Sequence, residues 1–303
     1  MSRNVYLEVV KIRKKVLSKK IKSTDFLKVK YSNDNYLKNV FINDKIISKY
    51  FFDVIDKNIK VDKYNSFFKS PYFFSTKYST FYQELIWNCL VIQKYGHMIN
   101  EYILEKQNFE QSFFLNNYKD SKETLESIEN NFGVSLWGIE NRLILEEFCG
   151  DKSLIRRIIK DYSLNEKNYA TFLANKIGER ITDNSSFEKY SDQIQREINE
   201  SNIPVEMKFF SYFWLDFHNF PENDESKKNI LIIGSKTSLI DRYNIVVRML
   251  QGMCQEHGHN SILRKCLEIL SDIDDYRLEK ISILAGINKK MKLKKEDSIF
   301  NSI

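Results

Sequence analysis

At 303 residues, 42% of them apolar, the chain is long enough for one to three domains and can bury a sizeable core. Its 9 Gly and 3 Pro fall far below the roughly 20 and 15 of average usage, which leaves few tight turns for β-hairpins and favours long helices with short connections. The net charge of +6 is unevenly placed: residues 1–70 hold 17 Lys/Arg against 7 Asp/Glu, and the remainder 30 against 34, so a basic N-terminal segment precedes a mildly acidic body. Such a segment attracts phosphates, anionic lipid or an acidic partner.

No run approaches the 18 uncharged apolar residues of a membrane span, and the start Met1-Ser2-Arg3 lacks the apolar core of a secretory signal. A cytoplasmic location is therefore expected. The scattered Cys89, Cys149, Cys254 and Cys266 fit free thiols in a reducing compartment.

In chain order, Val5, Val9, Ile12, Val16 and Ile21 form one apolar helical stripe. Lys11, Arg13, Lys14, Lys15, Lys19 and Lys20 fill much of the rest, making a basic amphipathic helix. A short β-segment is expected around Leu27–Tyr31, and a second helix over residues 35–60. Residues 64–82 carry nine aromatics, interrupted by Pro71. They read as an aromatic connector between an N-terminal segment (1–78) and the body (79–288). A long helix should then run through Leu85, Cys89, Ile92 and Ile99 towards Ile103, with a turn near Asn116–Tyr118. Gly133 has the conformational freedom to end the next helix, Ser135 can cap its successor, and Gly150 and Asp151 repeat that stop and start. Alternate breaks lie about 32 to 34 residues apart, the length of a helix–turn–helix unit in several repeat families.

The segment Phe113-Phe114-Leu115-Asn116-Asn117-Tyr118-Lys119-Asp120-Ser121 resembles the inter-helix turn of a tetratricopeptide repeat. Asn116 stands where Gly is typical and Ser121 where Ala is typical, while Leu125 and Ile128 match later apolar positions. One unit is covered, without the first-helix Trp and Leu signature. The resemblance implies stacked helical pairs that bind other proteins, and no catalysis.

Further on, residues 205–217 make an aromatic helix, and the apolar run Ile230–Ile233 ends at Gly234. Ser238 and Asp241 have capping-box spacing for a helix from Leu239 to about Cys254. Two more helices follow, through Ile262–Ile273 and Leu278–Leu284, before a basic tail (289–303).

Several clusters invite chemical readings. Cys254, His257, His259 and Cys266 have the donor set of tetrahedral zinc, in a spacing that is not a standard one; the alternative is core cysteines and exposed turn histidines. Ile230–Ser238 has an apolar run before Gly234 and Lys236, as a phosphate-binding loop would, but lacks that motif's leading Gly; a helix or buried strand capped by Ser238 explains the same letters. Glu206 and Lys208 have the Glu-x-Lys spacing of metal-dependent nucleases but open a helical run, not a core strand. The Lys-rich helix and the two aromatic groups could contact nucleic acid, or be a solvated face and core packing.

The expectation is an all-α chain of antiparallel helical pairs stacked as a short α-solenoid behind a basic N-terminal helical segment. The leading function is a non-enzymatic interaction scaffold, adaptor or regulatory subunit of an intracellular bacterial complex, with a protein partner and no cofactor. The alternatives are a nucleic-acid-associated protein using Lys11, Arg13, Lys14, Lys15, Lys19 and Lys20, and a helical metal-dependent enzyme or toxin component using zinc.

Overall fold

A computed structural model of the chain describes residues 3–54, 59–61, 79–150, 155, 157–159, 169–182, 186–216, 220–256 and 261–287. Most of the aromatic connector, the cap at Asp151, His257, His259 and the basic tail lie outside the described residues. Within them the protein is all-α, with paired antiparallel helices and no β-strand. One isolated parallel bridge joins Val61 to Gly133.

Four short helices come first: α1 (Arg3–Leu17), α2 (Ser23–Lys30), α3 (Asn35–Asn43) and α4 (Lys45–Val54). In α1, Val9, Ile12 and Val16 are buried, and the helix packs on α3 and α4. The expected β-segment at Leu27–Tyr31 is instead α2. Phe26, Val29 and Lys30 are buried at helical spacing, and the Asp25 carboxylate accepts the Lys22 backbone N–H, pinning the first turn. The helix expected over 35–60 is broken at Asp44. That side chain accepts the N–H groups of Ile46 and Ile47, both at 3.0 Å, so it caps a new helix and turns the chain.

The middle of the molecule is α5 (Phe81–Lys94), opened by a reciprocal capping box between Thr80 and Gln83. Every residue from Leu85 to Ile92 is buried, so this helix is surrounded on all sides. Helices α2 and α3 cover it from upstream, and the rings of Phe41 on α3 and Phe51 on α4 lie 6.3 and 5.6 Å from that of Trp87. The Lys30 ammonium reaches the buried Glu84 carboxylate at 2.8 Å. The long helix expected from Leu85 to Ile103 is interrupted at Tyr95. There α6 (Gly96–Phe114) starts, and Gly96 lies close against Ile273.

Helices α6 and α7 (Tyr118–Phe132) form a tightly packed pair. Asn116 takes a left-handed conformation (φ 58°) in their turn, where a Gly would be at ease, and Asn117 caps α7. Ser121 is wholly buried and meets Ser112 of α6 at 2.9 Å, so a small residue is needed where the helices approach. Gly133 (φ 84°) ends α7 as expected; a Cβ there would lie 2.6 Å from the Val61 carbonyl, which accepts the Val134 N–H. Ser135 then caps α8 (Leu136–Phe148), also as expected.

The remaining described helices are α9 (Tyr169–Thr182), α10 (Phe187–Glu200), α11 (Val205–Leu215), α12 (Asp224–Gly234), α13 (Leu239–Glu256), α14 (Ser261–Ile269) and α15 (Tyr276–Leu284). Residues 230–234 belong to α12, which removes the strand that a phosphate-binding loop requires. In a linear stack each pair touches only its neighbours. Here α12, α13 and α14 return to pack on α5, so the chain closes on its own middle. The buried apolar residues, from Val9 to Ala285, form one continuous core.

Candidate functional site: a cationic groove between two C-terminal helices

A groove of about 1010 Å³ runs between α13 and α15. Along α13 its wall is Arg248, Gln251, Gly252 and Gln255; along α15 it is Arg277, Lys280, Ile281 and Leu284. Both series fall at i, i+3, i+4 and i+7, so each helix turns one face into the groove. Arg248, Gln251 and Arg277 also line a side arm of about 200 Å³, whose other walls include Lys106 of α6, Trp137 and Glu140 of α8, and Trp214 of α11.

The position of α13 is set by Asp241. Ser238 caps the helix by accepting the Asp241 N–H at 3.1 Å. The capping-box spacing suggested that Asp241 would bond back within its own turn. Its carboxylate instead accepts the N–H groups of Leu136 (2.9 Å) and Trp137 (3.1 Å), two of the open donors at the start of α8, and the Ser238 hydroxyl. The group is wholly buried, and burial pushes its pKa up to about 6 despite these bonds. On α15, Asp275 accepts the Arg277 N–H at 2.8 Å. Asn100 of α6 ties down the preceding loop, donating to the Asp272 carbonyl and accepting the Asp274 N–H.

The cations of the arm are held by neighbours rather than by solvent. Arg277 pairs with Asp275 (2.7 Å) and reaches Asn244 Oδ1, while the Tyr243 hydroxyl donates to Asp275 at 2.6 Å and Asn244 donates to the Tyr102 hydroxyl. Burial opposes the charge on Arg277, but Asp275 more than offsets it and raises the pKa. Arg248 lies over the Phe213 ring at 4.1 Å and donates to the carbonyls of Phe213 and Asp216 at the end of α11. Burial lowers its pKa to about 10. Arg180 of α9 bonds to Glu140 and to the carbonyl of Leu215. Lys106 pairs with Glu110 and is pushed down by burial and by Arg277. The Trp214 indole N–H is buried with no acceptor among the described residues.

Phe220 forms one rim of the groove by lying directly on α13: a Cβ on Gly252 would stand 2.2 Å from its ring. The Lys227 ammonium sits 4.9 Å from the centre of that ring.

The candidates from sequence are scattered elsewhere. Cys254 lines the groove, half-buried. Cys266, on α14, is wholly buried beside Cys89 of α5, and burial together with this neighbour raises the Cys89 thiol pKa. With His257 and His259 outside the described residues, no group of three or more His, Cys, Asp and Glu able to hold a metal ion occurs among the described residues. Lys11, Arg13, Lys14, Lys15, Lys19 and Lys20 are all exposed, as a basic face requires, but Lys19 and Lys20 follow the end of α1. Arg13 pairs with Asp44, Lys15 with Asp25 at 2.7 Å, and Lys11 with Glu8 at 3.8 Å. Lys208 bonds to the Asn199 carbonyl at the entry to α11. Reasoning from sequence missed the groove. Its only trace there was Arg248 inside the apolar run of α13, a cation that has to find partners once the helix is buried.

No family model, curated protein or solved structure matches the chain. Among the described residues, no helix is long and apolar enough to cross a membrane.

Proposed function

We propose that this protein is a non-enzymatic interaction scaffold, an adaptor or regulatory subunit, whose protein partner docks in the groove between α13 and α15. The observation that carries this reading is the groove's form: two helix faces, side by side, leave an open channel of about 1010 Å³. Its α15 wall ends in exposed apolar side chains, with Tyr276 55% and Leu284 72% accessible. Two rows of side chains at helical spacing suit a partner helix laid along them. The pairing of α6 with α7 through the Asn116–Ser121 turn supports the same reading, because helical-pair scaffolds of the tetratricopeptide kind work by binding. The Lys-rich start of the chain supports a nucleic-acid role less well, since Arg13 and Lys15 are already engaged by Asp44 and Asp25.

The test is affinity capture with the whole chain and with the double variant Tyr276→Asp/Leu284→Asp, both on exposed sites. Wild type should retain a discrete protein that the double variant loses, at unchanged thermal stability. Identical captures by the two proteins would refute the groove as the docking site.

A further inference from the structure

A second cavity, of about 380 Å³, lies between α11 and the segment that leads into α12. We infer that it binds a small molecule carrying a quaternary ammonium group, such as a trimethylammonium. The site is separate from the docking groove, although Phe220 borders both.

Four aromatic rings line it. Phe209, Tyr212 and Phe213 stand at i, i+3 and i+4 on α11, so one face of that helix is turned inward, and Phe220 comes from the segment before α12. Elsewhere on α11, the rings of Phe210 and Trp214 stack with centres 6.0 Å apart. The four rings around the cavity make no ring contact with one another among the described residues, so they surround a space instead of filling it. Tyr212 offers its ring rather than its hydroxyl, which donates to Asn199 Oδ1 of α10 at 2.8 Å. The face of an aromatic ring is electron-rich and attracts cations. Two of these rings already do so: the Arg248 guanidinium lies 4.1 Å from the centre of Phe213, and the Lys227 ammonium 4.9 Å from that of Phe220. Neither cation lines the cavity.

The charge of the surroundings has the matching sign. The one charged side chain among the described lining residues is Glu222, which is exposed. Nearby, Lys227 pairs with Glu256 and Lys228 with Glu225, both at 2.6 Å, and Asp216 faces Arg248. Glu222 and its neighbour Asp224 make no ion pair among the described residues, so the local balance is negative. An anion would meet Glu222 and no cation in the lining. A bare ammonium is strongly hydrated and would turn its three donors onto ring carbon. Methylation removes those donors and spreads the charge over apolar groups that pack among rings. A volume of about 380 Å³ is at the small end of ligand cavities, as a small molecule requires.

The experiment titrates the whole chain with choline, with ethanolamine, and with the uncharged choline analogue that has carbon in place of nitrogen, and reads binding by calorimetry. Choline should bind about tenfold more tightly than either of the others. Glu222→Gln, at an exposed site, should weaken choline by about threefold and leave the uncharged analogue and the melting temperature unchanged. Phe209→Leu keeps an apolar side chain but removes a ring, and should weaken choline by about fivefold. If Phe209→Leu melts lower, Glu222→Gln carries the test by itself. The groove variant Tyr276→Asp/Leu284→Asp should bind choline as the wild type does. No heat from choline at millimolar concentration, equal binding of choline and its carbon analogue, unchanged choline affinity in Glu222→Gln, or loss of choline binding in the groove variant would overturn the inference.

Discussion

Asp241 is the residue on which one helix is hung from another. Its carboxylate takes two open backbone donors of α8 while Ser238 holds it within α13. Burial raises its pKa from 3.8 to about 6, so the folded protein binds a proton there that the unfolded chain gives up earlier. The stabilising contribution of this group is therefore full below pH 3.8 and is lost as pH rises through about 6, a change of roughly 3 kcal/mol. Urea unfolding of wild type and Asp241→Asn from pH 4 to 7 should show the wild type losing stability relative to the variant as pH rises. Parallel stability curves would refute the assignment. Nothing in the sequence revealed this bond. Ser238 and Asp241 have the spacing of a local capping box, but Asp241 lies where α8 begins, and tertiary proximity redirected it.

At the scale of elements, helix ends were legible wherever a residue carries its own reason to stop. Gly133 takes φ 84° and Ser135 accepts the Gly138 N–H, as their types suggest. Asn116 does for the α6–α7 turn what Gly usually does, since its short polar side chain tolerates the left-handed region. Two breaks were missed all the same. The helix expected over 35–60 divides at Asp44, whose own carboxylate caps the new helix, and the one expected from 85 to 103 divides at Tyr95. Gly252 of α13 is the place where Phe220 lands. Gly252→Ala should push that ring off the helix and destabilise the protein by about 1–3 kcal/mol, because a methyl group has no room there. A melting curve checks the cost, and unchanged stability would mean that Phe220 moves freely.

For the whole molecule, the deciding element is α5, which is buried on every side. Upstream helices α2 and α3 and downstream helices α12, α13 and α14 all close over it. Removing residues 1–54 should uncover the α5 face around Trp87, so the shortened chain should bind a hydrophobic dye and unfold without a sharp transition. A shortened chain that melts as cooperatively as the full one would show that the N-terminal helices are dispensable to the core.

The chain's scarcity of Gly and Pro and its three-to-four-residue apolar spacing determined, without any structure, that it is helical and roughly where the helices lie. That follows because helix formation depends on neighbours within a turn or two. Which helices meet depends instead on groups far apart in the chain finding each other once solvent is excluded. Only the tertiary structure brought Lys106, Arg248 and Arg277 to one arm, paired Asp241 with α8, and set Cys266 beside Cys89. Charges and thiols carry no periodic mark of their eventual partners, and for that reason the groove could be seen only in the folded chain.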